Sequence, residues 1–432
     1  MEPTRSRGPS NLTGPRTVTF FTILRSRALL PGLAAAGLLS IVPATGAHAE
    51  AQLLIEASTG KVLHAENATY PWYPASVTKL MTAYTTLRAI KEGRLSFDTL
   101  LPMSRNAVAQ QPTKMGFKLG TQVTVDNALK MLMVKSANDV AVAIAEGVGG
   151  SIEGFADMMN ANARRLGMSQ SNFVNPNGLP GENHISSARD LGILARAVIR
   201  EFPESDSYWR ISSIRYGNRV LHNYNSLIDR YRGADGMKTG FICASGYNVV
   251  ASATRNGRRL IVVVLGAYSG AVRAQKAAQL LERGFNSGGL SWLTPALGTV
   301  DALAPIDAQP PNLREEMCGG HRRKPPSEEN EEEEETTTPV ASGESESGQS
   351  FMLSSLKPSN GKFVLGPPVE TTPSIVVFTG PANNPDKAEQ IANDGPKKKK
   401  HKVAAKETSA DSAAKTAKAA KPAKKKVSSA AR

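Results

Sequence analysis

The sequence predicts an α/β fold of the α+β type, in which one antiparallel sheet is assembled from strands at the two ends of a domain and flanked by helices from its middle. Three observations predict it. Strand-like runs at 52–57 and 61–65 open the region, a long helix-rich stretch follows, and β-rich runs at 247–253 and 260–267 close it. The closing pair is joined through Asn256 and Gly257, a dipeptide suited to a tight hairpin turn, so early and late strands share one sheet.

The chain has 432 residues and a formal net charge of +14. Ahead of the first strand, Arg25 and Arg27 precede an Ala- and Leu-rich apolar stretch over 28–44, followed by Ala47, His48 and Ala49 in a small-x-small pattern. Residues 1–49 are therefore expected to be a signal peptide cleaved after Ala49. The remainder is then exported, to the periplasm or the outer face of the cytoplasmic membrane. Pro31, Gly32 and Pro43 argue against an uncleaved membrane span.

Pro74, Ala75 and Ser76 open a segment in which Val77, Leu80, Met81, Tyr84, Leu87 and Ile90 recur at helical spacing until Gly93. Proline fits the first turn of such a helix. With Ser76 at the helix start and Lys79 one turn later, the two side chains share a face within reach of one proton. The positive end of the helix favours a forming alkoxide and disfavours an ammonium, so Lys79 is expected to act as base for a Ser76 nucleophile. Serine followed three residues later by lysine also occurs from Ser58, Ser354, Ser359 and Ser412. Ser58 lies in a turn and the others in polar, low-complexity sequence, so none has a helix to sit on.

A second helical pattern over 125–134 buries Val125, Leu129, Leu132 and Met133 on one face and exits into Ser136, Ala137 and Asn138. There Ser136 can relay a proton between Lys79 and a leaving amine, while the Asn138 amide can hydrogen-bond a substrate backbone and orient Lys79. Lys238, Thr239 and Gly240 occur as a triplet once and read as a strand edge. The cation and hydroxyl suit a terminal carboxylate, and glycine lets a substrate backbone approach closely. The backbone N–H groups of Ser76 and Phe241 then form the expected oxyanion hole. A final helix is expected over 271–285.

Cys243 and Cys318 are the two cysteines of the chain and could pair in an oxidising compartment, which would pin 288–318 against the sheet edge. The domain is expected to occupy 50–287, with an ordered extension or linker at 288–322. Residues 323–432 read as a long disordered tail: an acidic block around Glu331–335, then Ser, Thr, Pro and Gly, then a Lys- and Ala-rich run from Lys397. Much of the positive charge therefore lies in the tail. An exported polycation meets anionic envelope polymers and lipid head groups, so electrostatic contact with them is expected and nucleic acid is not.

His48, His64, His184, His222, His321 and His401 show no metal-ligand spacing, and no phosphate loop or dinucleotide fingerprint occurs. No cofactor and no metal are expected.

Pro74–Met81, Ser136 to Asp139, Asn175 to Leu179 and Asp235 to Phe241 together resemble the D-alanyl-D-alanine carboxypeptidases, the low-molecular-mass penicillin-binding type of serine peptidase. The resemblance runs from Ala51 to Ser287. It implies the penicillin-binding, β-lactamase-like fold, with an all-helical subdomain beside the sheet and the cleft between them. It implies Ser76 as acyl-enzyme nucleophile, Lys79 as base, Ser136 and Asn138 as relay and amide anchor, and Lys238 and Thr239 as carboxylate-binding residues. Arg273, in the last helix, matches a family arginine near the substrate carboxylate. The implied substrates are peptidoglycan stem peptides, with β-lactams as inhibitors. A D,D-endopeptidase uses the same parts. A class A β-lactamase would need a glutamate that Glu182 supplies poorly, since its surroundings lack the Glu-x-x-Leu-Asn pattern. An inert envelope-binding protein would not need the intact motifs.

Overall fold

Alternating apolar residues make β1 (Ala51–Glu56) and β2 (Val62–Glu66) an antiparallel pair at the start of a computed structural model that describes residues 50–287, 297–320, 358–359, 362–363, 365–367 and 373–382. The expected signal peptide and the acidic and Lys-rich parts of the tail lie outside the described residues. From β2 the chain passes through a 3-10 turn (Ala75–Thr78) into α1 (Lys79–Lys91). Short strands β3 (Leu100–Pro102) and β4 (Gln122–Thr124) pair around α2 (Arg105–Val108). Then come α3 (Val125–Val134), α4 (Asn138–Gly149), α5 (Ile152–Leu166) and α6 (Ala188–Glu201). Side-chain oxygens of Thr124, Ser151 and Ser187 accept from backbone N–H groups in the first turns of α3, α5 and α6, fixing where each helix begins.

After α7 (Asp206–Trp209), a hairpin of β5 (Ser213–Tyr216) and β6 (Arg219–His222), and α8 (Leu227–Arg230), the chain returns to the main sheet. It does so as β7 (Ala234–Ile242), β8 (Gly246–Arg255) and β9 (Arg258–Ala267), then closes the domain with α9 (Gly270–Asn286). The strand order is β2-β1-β9-β8-β7, every neighbour antiparallel, so the first and last strands of the domain lie side by side and β7 is an edge. The β8–β9 turn falls at Asn256 and Gly257, both with positive φ, as a type I′ hairpin requires.

Both faces of the sheet are covered. Along β9, Ile261, Val263 and Leu265 join a core shared with α1 and α3–α6, while Leu260, Val262 and Val264 join one shared with α9. Period-two alternation with apolar residues at every position buries both sides. Among the described residues no helix is long and apolar enough to cross a membrane.

Residues 297–320 form an extension that contains α10 (Arg314–Cys318). Cys318 is disulfide-bonded to Cys243, with Cα atoms 5.6 Å apart, so the pairing left open by the sequence is made. Further on, β10 (Pro358–Ser359) pairs with β11 (Lys362–Phe363), and β12 (Ile375–Val376) joins β5 in parallel. Within the expected tail, residues 373–382 form a short segment docked on β5. Val377 N–H donates to Arg215 O at 2.9 Å, Gly380 N–H to Gln122 O at 2.7 Å, and Val377 is buried. The physical reason is the run Ile375, Val376, Val377 and Phe378, a strand-forming segment that the polar composition on either side of it conceals.

Candidate functional site

The nucleophile candidate sits on strained backbone between the sheet and α1. Pro74 is followed by Ala75 at φ 49°, and Ser76 occupies the 3-10 turn rather than the first turn of an α-helix as the sequence suggested. The tighter winding nearly eclipses side chains three residues apart, which brings Ser76 and Lys79 together more closely than an α-turn would. Lys79 is fully buried, and its Nζ lies 2.9 Å from Ser76 Oγ. The same ammonium donates to Asn138 Oδ1 at 2.7 Å and to Asn177 O at 2.8 Å. Two fixed acceptors therefore aim the nitrogen at the hydroxyl.

Ser136, Ala137 and Asn138 do not end in a plain turn: Asn138 is the first residue of α4. Ser136, at φ 56°, bridges α3 and α4, and Thr113 Oγ1 donates to its carbonyl at 2.9 Å. Asn138 Nδ2 donates to Gln111 O at 2.9 Å, which fixes the amide so that its oxygen faces Lys79. The Asp139 carboxylate accepts from Met115 N–H at 3.1 Å and Gly116 N–H at 2.9 Å, holding the 110–116 loop against the start of α4. Ser136 Oγ is buried with no hydrogen-bond partner among the described residues.

β7 forms the opposite wall. Gly240 faces the nucleophile turn so closely that a Cβ added there would lie 2.7 Å from Ser76 N and 2.8 Å from Val77 N. Lys238 pairs in register with Val250 and shares its helix-side face, while Thr239 pairs with Val249 on the α9 side. Lys238 is buried, with its Nζ 3.1 Å from Thr239 O, and Thr239 Oγ1 is a second buried hydroxyl without a partner among the described residues. Phe241 continues the edge strand, its ring against Tyr247 at 4.3 Å. Arg273 sits at the start of α9, on the same side of the sheet as Thr239. Its guanidinium donates to Asn248 O at 3.3 Å and Tyr224 O at 3.1 Å. The structure thus joins Ser76, Lys79 and Asn138 by hydrogen bonds and packs Gly240 on them, with Ser136, Lys238, Thr239 and Phe241 on the adjoining walls; Arg273 stands behind β8.

Three supporting groups have no role that the sequence assigns. Asn248, buried in β8, donates to Tyr73 O at 3.0 Å and Pro74 O at 3.3 Å and accepts from Gly266 N–H at 3.0 Å, tying the nucleophile segment to the sheet. An amide side chain between Tyr247 and Val249 in a β-rich run is the available signal. The 175–185 loop passes beneath α1, where an added Cβ at Gly178 would fall 1.8 Å from Ala75 O. From the same loop, buried His184 stands 2.8 Å from Thr78 Oγ1 and accepts from Val174 N–H at 3.1 Å. Burial lowers its pKa to about 4, so the ring is neutral. Glu182 is exposed at the loop surface, and the loop presents the Asn177 carbonyl to Lys79 instead of a carboxylate. Among the described residues no cluster of His, Cys, Asp or Glu could hold a metal ion.

A family model described as D-alanyl-D-alanine carboxypeptidase matches residues 40–269. The chain is 35% identical over 242 residues to the D-alanyl-D-alanine carboxypeptidase DacA of Haemophilus influenzae, covering 55% of this chain and 62% of that protein. The chain thus spans less than two thirds of that relative's length. Among solved structures, penicillin binding protein 6B from Escherichia coli aligns with a TM-score of 0.53 at 36% identity, covering 55% of this chain and 77% of that one. Penicillin-Binding Protein D2 from Listeria monocytogenes, in its ampicillin-bound form, aligns with a TM-score of 0.51 at 29% identity over 55% of this chain and 97% of that one.

Proposed function

The chain belongs to the D-alanyl-D-alanine carboxypeptidase family, and on that premise we propose that it is a serine carboxypeptidase that removes the terminal D-alanine from peptidoglycan stem pentapeptides through an acyl-enzyme on Ser76. The observation that carries the reading is the placement of Lys79 Nζ, 2.9 Å from Ser76 Oγ and held by Asn138 and Asn177. In its neutral form this amine accepts the hydroxyl proton as Oγ bonds to the carbonyl carbon of the penultimate D-alanine. The oxyanion that forms is held by the backbone N–H groups of Ser76 and Phe241. Collapse breaks the peptide C–N bond, and the leaving amine takes its proton from Lys79 through the Ser136 hydroxyl. Water then attacks the ester, giving its proton back along the same path and restoring Ser76.

Lys238 and Thr239 supply a cation and a hydroxyl for the terminal carboxylate, with Gly240 leaving room for substrate backbone along β7. Arg273 contributes positive potential from the α9 side of the sheet. Penicillins, with their strained amide and adjacent carboxylate, are proposed to acylate the same serine. The Cys243–Cys318 bond supports an oxidising, exported location, and the Lys-rich tail is proposed to contact anionic envelope surfaces.

The test is D-alanine release from a pentapeptide ending in D-Ala-D-Ala, with fluorescent penicillin labelling alongside. Both are expected from the native chain and neither from Ser76→Ala. Equal release from the two proteins removes Ser76 as nucleophile.

A further inference from the structure

A cavity of about 200 Å³ opens beside the nucleophile turn, between the 175–185 loop, the outer end of β7 and the 297–320 extension. Its walls include Ala75 and Ile242, the chain neighbours of Ser76 and Phe241, so it adjoins the proposed reaction groove. The extension supplies Asn312 and Arg314. Around Arg314 it is held by the Cys243–Cys318 bond, by the Leu313 N–H donating to Ala244 O at 3.0 Å, and by Leu313 and Met317 buried in the core. From these we propose that Arg314 selects stem peptides whose residue just ahead of the D-alanyl-D-alanine unit carries a side-chain carboxylate, and that the disulfide is the device that positions Arg314.

The order of groups along β7 sets which part of a peptide reaches the cavity, an argument that rests on the carboxypeptidase reading above. A terminal carboxylate at Lys238 and Thr239 and a scissile carbonyl at Phe241 N–H direct the upstream chain toward Ile242. An extended peptide advances roughly 3.3–3.6 Å per residue, so two alanines account for the distance from Thr239 to the oxyanion hole and the third residue lies beside Ile242. Its side chain then has the cavity to enter.

The electrostatics favour an anion. Arg314 is the one lining side chain that carries a full charge, since His184 is neutral there. Glu315 and Glu316 follow it on α10 but do not line the cavity. The Arg314 guanidinium makes no hydrogen bond or ion pair among the described residues, whereas its backbone N–H is fixed by Asn312 Oδ1 at 3.1 Å. A planar fork with free donors at the rim of a groove suits a carboxylate.

The experiment compares two peptides, Nα-acetyl-L-2-aminopimelyl-D-alanyl-D-alanine and the same molecule with its side-chain carboxyl as the carboxamide. D-Alanine release is measured with kcat and KM separated. The native chain is expected to prefer the carboxylate by about tenfold in kcat/KM, through KM. Arg314→Gln is expected to bring the two peptides within about twofold of each other with kcat unchanged, and Arg314→Lys to keep part of the preference. A Cys243→Ser, Cys318→Ser double variant is expected to lose the preference while still releasing D-alanine from the carboxamide peptide. No preference in the native chain, or the same preference in Arg314→Gln, overturns the role of Arg314. A preference that survives in the disulfide-free variant overturns the positioning role of the bond. Failure of the native chain to cleave either peptide sinks the carboxypeptidase reading itself, a different result from cleavage without discrimination.

Discussion

His184 Nε2 stands 2.8 Å from Thr78 Oγ1, placing a buried imidazole directly beneath the turn that carries Ser76 and Lys79. Because Nδ1 accepts the Val174 N–H, the ring proton resides on Nε2 and is donated to the threonine. Protonating the ring would put a second proton on Nδ1, against the Val174 donor, inside an apolar setting. Hence the pKa lies at about 4, below the ordinary 6.5.

The consequence is a defined pH window. A group whose folded pKa is depressed contributes stability above its unfolded pKa and loses it as pH falls through the folded one, so the loss runs from about pH 6.5 down to about 4. The full contribution is on the order of 3 kcal/mol. Urea midpoints measured at steps between pH 7 and 4 are expected to fall for the native chain and to fall less steeply for His184→Gln. Asp190, whose carboxyl burial raises, acts in the opposite sense in both proteins, so the difference between them isolates the histidine. Equal slopes would remove His184 as the source.

Gly240 is expected to be intolerant of a single methyl group. A Cβ there meets the backbone nitrogens of Ser76 and Val77 at 2.7 and 2.8 Å, and backbone cannot swing aside as a flexible side chain can. Gly240→Ala must therefore push β7 and the nucleophile turn apart. Misplacement of this kind costs roughly 10²-fold or more in rate. The variant should keep its far-UV circular dichroism while D-alanine release falls by that order, and an activity within about threefold of native would contradict the close approach.

The fold was legible where local chemistry and tertiary placement agree. Asn256 and Gly257 demanded the β8–β9 turn, and the apolar runs around them demanded a buried sheet. The candidate site was legible where residue type suggests a role, as in Ser76, which the structure sets beside Lys79. Legibility failed where the deciding contact is remote in sequence. Nothing near Ser76 signals a 3-10 turn, because it is the 175–185 loop and Asn248 that shape that segment from over a hundred residues away. The sequence places Ser136 to Asn138 at a helix exit, yet Asn138 starts a second helix, one that packs on α1 and α5. The strand at 375–376 is not legible because four apolar residues do not outweigh the polar sequence around them.

Asn248 joins three backbone groups that have no obvious substitute. Its amide satisfies Tyr73 O, Pro74 O and Gly266 N–H inside the sheet, so truncation leaves buried polar atoms unpaired. Asn248→Ala is expected to lower stability by about 2–4 kcal/mol. It also releases the segment leading to Ser76, and the rate of acyl-enzyme formation should drop by more than tenfold even at temperatures where the variant is fully folded. Stopped-flow acylation by a chromogenic penicillin, run well below the variant's melting temperature, separates the two effects. Unchanged acylation would mean that the Pro74 turn holds its shape without the amide.

Val377 offers a test of whether the late segment is part of the folded domain. Its side chain is 2% exposed within the core that also contains Ile214, and its N–H donates to Arg215 O. Val377→Asp would place a carboxylate in that core, where an unpaired charge costs several kcal/mol. The cheapest response is for residues 373–382 to detach, which forfeits their own burial but spares the five-stranded sheet. Limited proteolysis is therefore expected to cut Val377→Asp within 365–382 at least tenfold faster than the native chain, with the 50–287 region still resistant. The same cleavage rate in both proteins would show that this strand is not held on β5 in solution.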